Sequence, residues 1–161
     1  MLGQVPYVDF YILVFPLGLQ INAALLSVLG DQLLTLRLVG IVVSVAVGAL
    51  VYSASRKLGT SPFMCVLPVS AVILAQHVSP YNSYTWFALL FLSAAMLVQL
   101  TEWQKLAKTR DQSSHPWWAL AIVGFLLGLA ALSKQNIGLA GLLSATVFVF
   151  VFGSQHQRSS C

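Results

Sequence analysis

Residues 117–152 form an apolar run of 36 positions, broken only at Ser133-Lys134-Gln135-Asn136. As a single helix the run would be about 54 Å long at 1.5 Å per residue. The hydrocarbon core of a bilayer is only about 30 Å thick. The run therefore reads as a hairpin of two spans, 117–133 and 137–152, turning at Lys134. Three more apolar runs have clear ends: 33–55 is closed by Arg56-Lys57, 63–79 is bounded by Pro62 and Pro80, and 84–101 is closed by Glu102. A sixth segment, 10–29, contains Pro16, Gln20 and Asn22, and either spans or lies as a helix in the interface. The expected fold is all-α, a polytopic transmembrane helical bundle forming one domain over 1–161. It has five spans and one ambiguous N-terminal membrane or interfacial helix. Residues 1–32 make an outer-face loop with that helix, and 153–161 make a cytoplasmic tail.

Composition agrees. Only 7% of residues are charged and 58% are hydrophobic, with a mean hydropathy of +0.87. A soluble domain carries about 25% charged residues, so these charges cannot cover a water-facing surface. Disorder is excluded too, because it needs low hydrophobicity and high charge. Eight Lys and Arg against four Asp and Glu give +4. In a membrane protein that excess reports loop sidedness. No basic patch with interleaved aromatics points to nucleic acid. Cys65 and Cys161 provide neither a disulfide framework nor metal-ligand spacing. The terminal Ser-Ser-Cys is not a prenylation box, and no positive region precedes the first apolar run.

Cytoplasmic loops carry the excess of Lys and Arg. Arg56 and Lys57 follow the first of the five spans, Lys105, Lys108 and Arg110 the third, and Arg158 the fifth. These loops share one side and hold six of the eight basic residues, which makes that side and the C-terminus cytoplasmic. Gly30-Asp31-Gln32, Pro80-Tyr81-Asn82-Ser83 and the Lys134 turn then face outward. Trp86, Trp103, Trp117, Trp118, Tyr81 and Tyr84 fall near span ends, where amphipathic rings settle at headgroup level.

No Asp or Glu lies inside any of the five spans, which argues against an ion-coupled transporter. No catalytic triad, zinc-protease or P-loop pattern is present. What remains is a set of polar groups gathered at the outer face: Tyr7, Asp9, Asp31, Arg37, His77, Asn82, Tyr84, Lys134, Gln135 and Asn136. The spans flanking Lys134 are short, about 24–26 Å each, so its turn can sit below the headgroups in a water-filled recess. Lys134 is then either a phosphate-binding cation or a snorkelling lysine in a tight hairpin. Asp9 is a general base, a metal ligand, or a carboxylate capping the following helix, and the pattern favours the cap. Asp31, just before a span, is a stronger cap candidate. Arg37 either snorkels or holds a lipid phosphate. His77 is an interface residue before it is a ligand. Gly124 and Gly128 form a G-x-x-x-G pattern suited to close internal helix packing.

Three stretches, in order and spacing, resemble one family. The first is Gly3-Gln4-Val5-Pro6-Tyr7-Val8-Asp9-Phe10, with Pro16-Leu17 following. The second is Leu29-Gly30-Asp31-Gln32-Leu33-Leu34-Thr35-Leu36-Arg37-Leu38, leading to Tyr52-Ser53-Ala54-Ser55-Arg56-Lys57-Leu58-Gly59. The third is Phe125-Leu126-Leu127-Gly128-Leu129-Ala130-Ala131-Leu132-Ser133-Lys134-Gln135-Asn136-Ile137-Gly138-Leu139. Over nearly the whole chain they resemble the N-terminal half of GT-C-type membrane glycosyltransferases. These include the dolichyl-phosphate-mannose protein mannosyltransferases and the bacterial aminoarabinose transferases acting on lipid A.

The resemblance implies an enzyme that moves a sugar from a polyprenyl-phosphate carrier to an acceptor on the outer face. It implies a multi-pass location in the inner or plasma membrane of a bacterium, in preference to the endoplasmic reticulum. The carrier-linked sugar and membrane lipid are the implied partners. Lys134, Arg37 and Tyr7 become substrate-binding candidates, and Asp9 an auxiliary catalytic acid. No cofactor is implied, and a divalent metal stays open. The family's first helix, its acidic catalytic pair and its later helices have no counterpart here. The resemblance therefore implies a fragment holding half a donor site and inactive alone. The alternative is a non-enzymatic membrane scaffold or transporter subunit, which the lack of intramembrane carboxylates suits.

Overall fold

The computed structural model describes the backbone of residues 16–30, 33–78, 83–109 and 117–158, and the side chains of 16–30, 34–74, 85–105 and 117–148. The described residues form six helices and no strand: α1 Pro16–Leu29, α2 Leu33–Lys57, α3 Val66–Val78, α4 Ser83–Thr109, α5 Trp117–Ser133 and α6 Gln135–Arg158.

Local chemistry fixes several ends. Pro16 opens α1, where its missing N–H costs nothing. Gly30 closes it at φ 98°, its N–H donating to the Leu26 carbonyl at 3.0 Å. At the end of α2, Gly59 takes φ 81°. Its N–H reaches the Arg56 carbonyl at 3.1 Å, and the Thr60 N–H reaches the Ser55 carbonyl at 3.4 Å. This paired closure is a Schellman motif, and only a residue tolerant of positive φ can occupy the Gly59 position.

Helix ends differ from the hydropathy breaks in an instructive way. Helix α4 continues past Glu102 to Thr109, and α6 past Phe152 to Arg158. Polarity ends an apolar span, but Glu, Lys and Gln are good helix formers and do not end a helix. In α4 the outgoing turns are held by a Lys105–Glu102 ion pair at 2.6 Å and by Gln104 Nε2 donating to the Lys57 carbonyl. Helix α3 is shorter than the apolar run around it. Residues 62–65 form turns, with the Met64 N–H on Ser61 Oγ at 3.4 Å and the Cys65 N–H on the Ser61 carbonyl at 3.2 Å. The regular helix therefore starts at Val66 rather than at 63.

Two helices, Leu34–Lys57 and Thr85–Lys105, are long and apolar enough to cross a membrane. Pro16–Leu29, Trp117–Ser133 and Gln135–Phe148 are apolar but shorter among the described residues. At 14 and 13 residues, α1 and α3 reach only about 21 and 20 Å. The five-span count drawn from apolar runs is thus matched by two helices of full spanning length.

Helix α4 is the hub, contacting α1, α2, α5 and α6, while α3 packs on α2. Gln104 beside Lys57 sets α2 parallel to α4. Lys134 Nζ on Thr85 Oγ1 at 3.1 Å sets α5 antiparallel to α4. Gln99 Nε2 on the Ala145 carbonyl at 3.4 Å and the edge-on Trp103–Phe148 ring pair, centroids 6.0 Å apart, set α6 parallel to α4. One end of the bundle therefore gathers the starts of α2, α4 and α6. The other gathers their outgoing turns, with Arg56, Lys57 and Lys105.

Small residues fill the contacts. Val43, Ser44, Val47 and Gly48 of α2 are buried, as are Ala88 and Ala95 of α4 and Ala119, Val123, Leu127, Ala130 and Ser133 of α5. Trp86, Phe87 and Leu100 are buried with them, while many other large apolar side chains point outward; Phe125 is 67% exposed and Leu143 69%. Only 22% of the most apolar stretch of α2 is buried inside the bundle. Close approach occurs at Gly138, where an added Cβ would overlap the Cα, Cβ and N of Ala131. It recurs at Gly141, where a Cβ would stand 2.7 Å from Leu92 Cδ1 and 2.9 Å from Leu127 Cδ2. The expected packing role of Gly124 and Gly128 is not found: a Cβ at either meets nothing within 4 Å. They lie off the α5 stripe that faces α4. Trp86 also departs from expectation, being 4% exposed in the core and not at an interface. Trp103, Trp117 and Trp118 remain exposed near the basic end.

Candidate functional site

Helices α5 and α6 are joined through one residue, Lys134. Its N–H donates to the Ala130 carbonyl at 2.8 Å, closing the last turn of α5. Its carbonyl accepts the N–H groups of Ile137 and Gly138, both at 3.1 Å, opening α6. So short a link is possible because Gly138, without a side chain, lets α6 fold back against the backbone of Ala131. The polar break in the sequence locates the turn, and the glycine makes it tight.

The Lys134 side chain runs to the first turn of α4, where Nζ donates to Thr85 Oγ1 at 3.1 Å in a part-buried setting. Beneath lie Trp86, Phe87 and Ala88, all buried. Gln135 and Asn136 are exposed. The preceding Ser133 is 0% exposed, and its Oγ has no hydrogen-bond partner. The described pair here is a lysine ammonium and a threonine hydroxyl, a set rich in N–H and O–H donors. Such a set suits an oxyanion better than a cation.

Thr85 and Lys105 are twenty residues apart on α4, a rise of about 30 Å. The Lys134 ammonium and the Arg56, Lys57 and Lys105 cluster thus sit at opposite ends of one helix, separated by about the thickness of a hydrocarbon core. Within that cluster an Arg56 guanidinium nitrogen donates to the Thr60 carbonyl at 3.1 Å.

The structure does not bring Arg37 to Lys134. Arg37 is exposed in the second turn of α2. Helix α2 touches neither α5 nor α6, because α4 lies between them. Tyr7 and Asp9 fall outside the described residues, as do the side chains of Asp31, His77, Asn82 and Tyr84. Among the described residues no three His, Cys, Asp or Glu side chains come together. The residue that sequence reasoning missed is Thr85. Its signal is weak, one hydroxyl between two aromatics in Tyr84-Thr85-Trp86, and its partner is 49 residues away.

Comparison with protein-family models, with curated proteins and with solved structures finds no match to this chain.

Proposed function

We propose that this chain is part of a polytopic membrane glycosyltransferase of the GT-C type, moving a sugar from a polyprenyl-phosphate carrier to an acceptor on the outer face. The observation that carries the reading is the Lys134 ammonium on the Thr85 hydroxyl, at the opposite end of α4 from the basic cluster. The three motifs set out above, in register, give the family. The outward apolar side chains support a lipid surround, since so much exposed apolar surface is rare on a soluble monomer.

In this reading α2 and α4 cross the membrane, and α3 and the α5–α6 hairpin pass beside them. The Arg56, Lys57 and Lys105 end is cytoplasmic, with Lys108, Arg110 and Arg158. Lys134 faces outward, in the plasma membrane of a bacterium. In the resembled reaction an acceptor oxygen attacks the anomeric carbon and gives its proton to the family's carboxylate base, for which these 161 residues have no counterpart. The carbon–oxygen bond to the carrier breaks, and its electron pair leaves with the lipid phosphate. Lys134 stabilises that leaving charge. Arg37, exposed in the second turn of α2 and apart from Lys134, holds a lipid headgroup phosphate. Tyr7 contacts the donor, and Asp9 is an auxiliary acid.

The test is sidedness. Cys65 and Cys161 are replaced by Ser, and Gln135→Cys and Lys105→Cys are made separately in the membrane-embedded chain. A membrane-impermeant maleimide should label position 135 from outside and position 105 only after permeabilisation. Labelling of both from one side would remove the topology and the enzyme assignment with it. The rival is a non-enzymatic scaffold, favoured by the absence of buried carboxylates among the described residues. It predicts the same sidedness but no affinity for a polyprenyl phosphate.

A further inference from the structure

We propose that Thr85 is a positioning residue, holding the Lys134 ammonium at the carrier-phosphate position and adding its own hydroxyl hydrogen to the same oxyanion. This inference rests on the function proposed above.

The geometry asks for an explanation. Lys134 stands at a hairpin tip just before the exposed Gln135 and Asn136, on a flexible four-carbon stem whose rotamer freedom is lost when the ammonium is held in one place. The water-facing Gln135 and Asn136 show where a snorkelling lysine would go. Its side chain instead turns back to α4 and meets Thr85 at 3.1 Å. The position is fixed on both sides: Lys134 by the bonds to Ala130, Ile137 and Gly138, and Thr85 by the buried Trp86 and Ala88 that follow it. Two rigid helices thus hold the pair in register.

The choice of a hydroxyl matters. A carboxylate in place of Thr85 would pin the ammonium and cancel its charge. A hydroxyl accepts one N–H and pins the group without adding a negative charge of its own. A hydroxyl also has one hydrogen to give. Among the described residues no acceptor takes the Thr85 hydrogen. Accepting from a cation polarises the O–H bond and makes that hydrogen a better donor. An oxyanion resting on the pair would receive one bond from Nζ and one from Oγ1.

The experiment measures binding of undecaprenyl phosphate to the full chain in phosphatidylcholine nanodiscs by native mass spectrometry, with inorganic phosphate in a parallel arm. Thr85→Val, Thr85→Ala, Thr85→Ser and Lys134→Ala are compared with the unaltered chain, each first checked for monodispersity. Loss of a hydrogen bond to a charged group should weaken lipid-phosphate binding about ten- to a hundredfold in Thr85→Val and Thr85→Ala. Thr85→Ser should restore it, because it returns the hydroxyl without the methyl group. If Lys134→Ala abolishes binding while Thr85→Val and Thr85→Ala leave it intact, the Thr85 role is overturned alone. If Thr85→Ser is as weak as Thr85→Val, packing and not the hydroxyl matters, and the proposal is overturned. If Lys134→Ala changes nothing, or only inorganic phosphate binds, the carrier site falls and Thr85 with it.

Discussion

Among the described glycines the closest approach is where α6 folds back on α5, and Gly138→Ala tests it directly. The added Cβ would overlap Ala131 at Cα, Cβ and N. Those are main-chain and Cβ atoms, so no rotamer change relieves the clash. To reach an ordinary carbon–carbon separation of about 3.5–4.0 Å the helices must part by roughly 1 Å or more. They are joined through a single residue, so they cannot slide, and the strain passes to the next contact. There Gly141 already lies close to Leu92 and Leu127. Overpacking typically costs 1–3 kcal/mol, and a rigid backbone neighbour places this case near the top, at about 3 kcal/mol. That is a loss of about a hundredfold in the folded-to-unfolded ratio. Gly124→Ala is the control, since its Cβ meets nothing within 4 Å. Alanine is the better helix former by about 1 kcal/mol in water, so Gly124→Ala should be neutral or slightly stabilising. The assay is reversible unfolding in mixed micelles titrated with dodecyl sulfate. Equal midpoints for Gly138→Ala and the unaltered chain, or an equal loss in Gly124→Ala, would refute the hairpin geometry.

Other outcomes follow from the same contacts. Ser133→Ala removes a buried hydroxyl that has no partner, so without ligand it should leave stability unchanged or raise it by up to about 1 kcal/mol. A loss above that in the dodecyl sulfate titration would mean the hydroxyl is bonded. Gly59→Ala puts a Cβ on a residue at φ 81° and should cost about 1–2 kcal/mol, seen as a lower midpoint; an unchanged midpoint would argue against the Schellman closure. Trp103→Ala removes the edge-on pairing with Phe148. Beyond the area lost it should cost about 0.5–1.5 kcal/mol, which a double-mutant cycle with Phe148→Ala isolates.

The sequence alone determined the helical class, the turn at Lys134 and the gathering of Arg56, Lys57 and Lys105 at one end. These depend on local physics. Apolar runs must become helices if lipid surrounds them, and the polar break at 133–136 has one place to go. Helix ends were less legible. Glu102 ends an apolar stretch without ending α4, because transfer free energy and helix propensity are different quantities. Only the tertiary structure decided which glycines matter and which hydroxyl meets Lys134. Gly124, Gly128, Gly138 and Gly141 look alike in the chain. Which of them touches a neighbour depends on the rotation of α5 and α6 about their axes, and that is set by packing against α4. The Thr85–Lys134 contact joins residues 49 apart for the same reason. Helix packing, which no local pattern encodes, brings the start of α4 to the end of α5.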